Sequence, residues 1–244
     1  MSWTNKNDYI FFESLWYFIN SFNYTVNMWG FQTGNDKKIK RILPWKFFEY
    51  FIVYYLYQLW YEKEFSFKEN PFIADNWVDI TLKWVPLHLK STTMKNMVCQ
   101  VRNWPWVVDK LQEKWGYLLM WYINPQIIDA ITPGVLHVID HFWYWSPQNE
   151  IKYEDIKSFW IHKWYYISHI AYLDDYIEFI GCISVADYFD NALFVKYWEL
   201  FPYTNISQNF TEWSFILDNI EELKESGKII TFRELLKQIE NKNV

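Results

Sequence analysis

The sequence predicts an all-α fold: a single domain built as an aromatic-rich bundle or array of about ten helices, with a small mixed region near its start. Three observations carry this. Glycine is scarce, 6 of 244 residues, and sheets joined by tight turns consume glycine. Hydrophobic residues reach 51%, enough for a sizeable core in a chain of this length. Prolines stand at the head of several apolar periodic runs, where first-turn prolines belong.

The elements follow in order. Helices are predicted over 8–22, 44–63, 72–84, 91–103, 105–123, 133–145, 153–180, 184–200, 208–226 and 231–242. Pro44, Pro105 and Pro133 suit first turns, and Ser91, Ser207 and Thr231 suit N-caps. Thr231 with Glu234 has the spacing of a capping box, in which each residue's side chain bonds the other's backbone N–H. Phe232, Leu235, Leu236 and Ile239 then form an i, i+3, i+4, i+7 stripe. Ser226-Gly227 ends the preceding run as a natural helix stop. Phe65 to Phe67 and Val78 to Leu82 also read as short strands, which makes 1–43 and 64–90 the mixed parts. A faint change of composition falls at 147–150.

Ser184-Val185-Ala186-Asp187 is the sharpest local pattern. Ser184 is placed to accept from the N–H of Asp187, and Asp187 to bond back to the N–H of Ser184. Ile183 and Tyr188 flank this pair as a hydrophobic staple. Gly181-Cys182-Ile183-Ser184-x-x-Asp187, with Leu173-Asp174-Asp175-Tyr176-Ile177 before it and Pro202 and Trp213 after it, resembles the C-terminal helical domain of glutathione transferases. The resemblance covers about 165–220 and implies a central helix opened by the cap, with binding of an apolar or thiol-conjugated ligand. The matched residues are structural in that family. No strand–helix–strand order leads to Val85-Pro86-Leu87, so no catalytic or glutathione-binding residue carries over.

Four histidines fall in one stretch. His137 and His141 share a helical face with Asp140 beside them, and His162 and His169 share a face of a second predicted helix that leads to Asp174. Imidazoles and carboxylates on two facing helices suit zinc or iron, and an open position would activate water for hydrolysis. Trp104, Trp106, Trp143 and Trp145 form the densest aromatic clusters and are the candidate anchors for a protein partner or an apolar small molecule.

The net charge of −6 argues against a surface that tracks nucleic-acid phosphates. Two cysteines, Cys99 and Cys182, set no disulfide framework. No apolar run reaches the length of a membrane span. A cytoplasmic protein is expected, with contact at a membrane surface left open. With no phosphate loop or nucleophile motif, the reading that demands least is a non-catalytic binding protein of inhibitor or immunity type. It would act through an aromatic-rich, acidic helical surface.

Overall fold

The computed structural model describes residues 6–29, 47–52, 65–66, 80–82, 84–95, 98–103, 116–145, 151–162, 172–196 and 213–241. It is a mixed α/β molecule, which corrects the all-α expectation. The chain divides into two compact units. Unit 1 comprises Met1–Asn76 and Ile123–Glu178, and unit 2 comprises Trp77–Tyr122 and Phe179–Val244. The crossings fall at 76/77, 122/123 and 178/179 rather than near 147–150.

Unit 1 is mostly helical where it is described; its strand residues are the two-residue β1 (Phe65–Ser66) and the strand ends at Ile123 and 177–178. Helix α1 (Lys6–Trp29) buries Ile10, Phe11, Ser14, Leu15, Phe18 and Ile19, an i, i+1, i+4, i+5 pattern that makes one apolar stripe. Ser14 fits because its hydroxyl donates to the Ile10 carbonyl at 2.6 Å. A short helical stretch, α2, covers 47–52. Helix α3 (Pro125–Trp145) opens with proline at its first position, and the Asn124 side chain accepts from Gln126 N–H at 3.0 Å. It starts eight residues before the predicted 133. Pro133 is therefore interior rather than in the first turn. It removes the N–H that would bond Asp129, and next to it Thr132 Oγ1 donates to Ile128 O at 2.5 Å. Helix α4 (Tyr153–His162) buries Ile156 and Trp160.

Rings hold these helices together. Phe11 meets Phe47 at 5.2 Å and Trp160 at 4.9 Å, both edge to face, and Phe18 meets Phe47 at 6.1 Å. Gly134 of α3 admits the Trp160 ring, because a Cβ there would lie 2.4 Å from it. Asn20 fastens α1 to the start of α4: its side chain accepts from Ile151 N–H at 3.0 Å and donates to Ile151 O at 3.1 Å. Trp16 Nε1 donates to the same carbonyl at 2.6 Å.

Unit 2 holds most of the strands that the sequence reading placed in helices. They are β2 (Ile80–Leu82), β3 (Val85–Thr92), β4 (Val98–Asn103), β5 (Tyr117–Ile123), β6 (Ile177–Ser184), β7 (Leu193–Lys196), β8 (Trp213–Leu217) and β9 (Ile229–Ile230). Strands β5 and β6 run across the boundaries between units. The predicted helices 72–84, 91–103, 105–123, 153–180, 184–200 and 208–226 are corrected accordingly, and Ser91 lies inside β3 rather than at a cap. The order β2-β3-β5-β6-β9 forms the main sheet and β4-β8-β7 a second one. Strands β2 and β3 make an antiparallel hairpin that pairs Leu82 with Val85, while β3 and β5 are parallel and pair Leu87 with Tyr117.

Two hydrogen bonds fix the sense of β5 against β6. Val185 N donates to Gly116 O at 3.0 Å and Asn124 N to Tyr176 O at 2.9 Å, so the start of one strand lies at the end of the other. At one described glycine the backbone itself demands the residue. Gly116 sits at φ 133°, and a Cβ on it would lie 2.3 Å from Pro86 O.

Three helices complete unit 2: α5 (Val185–Asn191), α6 (Ile220–Glu225) and α7 (Phe232–Asn241). Helix α7 buries the predicted stripe of Phe232, Leu235, Leu236 and Ile239. Its capping box is complete: Thr231 N donates to Glu234 at 2.7 Å and Glu234 N to Thr231 Oγ1 at 3.2 Å. Helix α6 ends at Gly227 with φ 73°, where Lys228 N reaches Leu223 O at 2.9 Å and Gly227 N reaches Lys224 O at 3.1 Å.

Candidate functional site

The residues singled out from the sequence behave in different ways. Ser184 caps α5, accepting from Asp187 N–H at 3.0 Å. The return bond differs from the one expected, since the Ser184 hydroxyl donates to the Asp187 carboxylate at 2.5 Å. Ile183 and Tyr188 are buried in one cluster, as the staple requires. The cap follows strand β6, where the sequence reading has a helix.

His137 and His141 lie on one face of α3, as their spacing implies, but that face meets a ring. The imidazoles stack on Phe159 with centroids 5.2 and 4.2 Å away and planes inclined by 26° and 18°. Asp140 is exposed. Among the described residues no three histidine, cysteine or acidic side chains converge on a point that would hold a metal ion. His169 and the side chains of His162 and Asp174 lie outside the described residues, as do Trp104 and Trp106 and the side chains of Trp143 and Trp145. Cys182 is buried, which pushes its thiol well above the usual range, with the Glu234 carboxylate adding to the shift. No helix among the described residues is long and apolar enough to cross a membrane.

A different set of side chains gathers in unit 1. Asp8, Tyr9, Phe12 and Glu13 stand at i, i+1, i+4 and i+5 on α1, and Tyr153, Glu154 and Lys157 at i, i+1 and i+4 on α4. Tyr9 is 50% exposed, whereas Asp8 is only 8% exposed. Burial raises the Asp8 carboxyl above its usual range, and the Lys157 ammonium opposes that shift. Burial also raises Glu13, against a hydrogen bond from Tyr9. The Tyr153 phenol is pushed up to about 12, first by burial, then by Glu13, Glu154, Tyr9 and Asp8. Tyr153 thus lies within electrostatic reach of Tyr9 and of the carboxylates of Glu13, Glu154 and Asp8.

Lys157 is the cation of this group. Its Nζ lies 5.9 Å from the centroid of Phe12 and 5.8 Å from that of Tyr153, at the outer edge of cation–π range. Chemically the site offers acceptors, ring faces and a tyrosine edge open to water. The site carries no histidine or tryptophan motif, and its two halves lie on helices far apart in sequence, so the sequence reading does not find it. The available signal was the i, i+4 pairing of carboxylates with rings at the head of α1.

Compared with known proteins, the chain matches no family model, no curated protein and no solved structure.

Proposed function

We propose that the protein is a non-catalytic binding protein of inhibitor or immunity type, and that unit 1 carries the recognition surface. The observation that supports this is the exposed Tyr9, set among the carboxylates of Asp8, Glu13 and Glu154 on two packed helices. Tyrosine supplies wide contact area at little entropic cost, and the carboxylates select a positively charged counterpart. The partner is accordingly a protein with a basic, lysine-bearing segment. The overall charge of −6 favours encounter with such a segment over long range.

The test is a calorimetric titration of the full chain with a synthetic lysine-rich peptide at two salt concentrations. Saturable binding that weakens with salt is expected, with Tyr9→Ala reducing affinity by about tenfold or more. Binding absent at low salt, or equal for wild type and Tyr9→Ala, would overturn the reading.

A further inference from the structure

The partner's chemistry can be narrowed by what already occupies the deepest part of that surface. Asp8 is nearly out of water, yet it is an acid whose charged form needs a counter-ion. Phe12 is 4% exposed, and its ring lies 5.9 Å from Lys157 Nζ, the same ammonium that opposes the shift of Asp8. Tyr153 completes the surround from α4. The group they share is the ammonium of Lys157, 5.9 and 5.8 Å from the two ring centroids. A carboxylate plus two ring faces is the environment that favours an alkylammonium over water. Lys157 reaches it from one turn after Tyr153 on the same helix. Its long stem gives it freedom to leave, since a lysine head moves easily between a site and solvent. Among the residues of the site, carboxylates outnumber this one cation, so a second ammonium would be attracted while the first is in place.

We propose that Asp8, Phe12 and Tyr153 form an alkylammonium cage that Lys157 of the same chain fills, and that a lysine side chain of the basic partner displaces Lys157 on docking. This deepens the functional reading above and rests on it for the identity of the incoming group. The cage itself does not. No covalent step is involved, and the exchange swaps one ammonium for another.

Two measurements separate the parts. First, the full-length Lys157→Met variant keeps the apolar stem and empties the cage of charge. Butylammonium chloride should raise its thermal midpoint saturably above matched sodium chloride. Wild type and the Asp8→Asn/Lys157→Met double variant should show no such rise. No response from Lys157→Met, or an equal response from wild type, overturns the cage.

Second, in wild type the ε-methylene protons of Lys157 should resonate upfield under the two rings and return to their solvent position as the lysine peptide is added. The same peptide should bind Lys157→Met about tenfold more tightly than wild type, since the competitor is gone. Peptide that binds while the Lys157 resonances stay in place overturns the exchange. Peptide that fails to bind sinks the functional reading and the exchange together, while the butylammonium result still decides the cage. The wild-type resonance measurement needs no variant, so a misfolded Lys157→Met leaves the proposal open to refutation.

Discussion

The two units hold themselves together by different means. In unit 1, α1, α2, α3 and α4 meet through rings set edge to face, with Phe11, Phe47 and Trp160 at the centre. In unit 2 the buried cluster is mostly aliphatic, with Leu118, Ile183, Leu217, Leu223 and Ile229 packed around Tyr188. Its helix ends are closed by local hydrogen bonds, as at Ser184, Thr231 and Gly227. The contrast teaches where spare chemistry lies. Helix ends of unit 2 are closed by local polar bonds, whereas the helices of unit 1 cohere through rings, with Asp8, Glu13 and Tyr153 drawn partly or wholly out of water beside the exposed Tyr9.

The comparison breaks most easily at Trp160. Trp160→Ala removes a fully buried ring and should cost about 3–5 kcal/mol, confined to unit 1. Hydrogen exchange checks this: amides of α1 should lose protection while those of β5 and β6 keep theirs. Equal loss everywhere would show that the units fold as one.

A smaller effect is expected at the two tight glycines, each serving its own unit. Gly134→Ala drives a methyl into the Trp160 ring, and Gly116→Ala meets Pro86 O from a left-handed backbone. Each should cost about 1–3 kcal/mol by denaturant titration. Smaller again, Ser184→Ala should cost about 1 kcal/mol, read in the same way from unit 2 probes.

The finest contrast is in acid. The Glu13 carboxyl is raised by burial, so its charge costs stability above the raised value, and the cost fades as pH falls through it. Glu13→Gln should therefore stabilise at neutral pH and lose that gain on acidification. The Glu234 carboxyl is lowered by its bonds with Thr231, so its contribution is full above its ordinary value of 4.5 and is lost as pH falls through the lowered one. Glu234→Gln should destabilise at neutral pH, and the loss should shrink in acid. Thermal midpoints of both variants between about pH 7 and 3 supply the check, and slopes of the same sign would erase the distinction.

Some of this was legible from residues alone. The α7 stripe and its capping box, the stop at Gly227 and the Ser184 cap all depend on near neighbours in sequence, and all formed. The short strand readings at Phe65 to Phe67 and Val78 to Leu82 hold β1 and β2, but the longer strands did not announce themselves. Tyr117–Ile123 buries four successive residues, Leu118 to Trp121, so it shows no alternation and reads equally well as part of a buried helix. Scarce glycine misled because β2 and β3 pair antiparallel, Leu82 against Val85, with no glycine between them in the sequence. The candidate site was illegible for another reason. Its halves, Asp8 to Glu13 and Tyr153 to Lys157, are brought together only by packing of helices far apart in sequence. His137 and His141 share a face of α3, where both imidazoles stack on Phe159, while His169 and the side chains of His162 and Asp174 lie outside the described residues.

The short bridge between Asn124 and Tyr176 has a practical corollary. The polypeptide departs from the main sheet and comes back at neighbouring backbone atoms, 2.9 Å apart. Everything from 125 to 175 is thus a detour whose two ends nearly touch. A brief reverse turn spliced across that gap would close the sheet without α3 and α4. It would also remove half of the proposed recognition surface in one step, leaving α1 and the sheet without α3 and α4 as a blank for the binding assay.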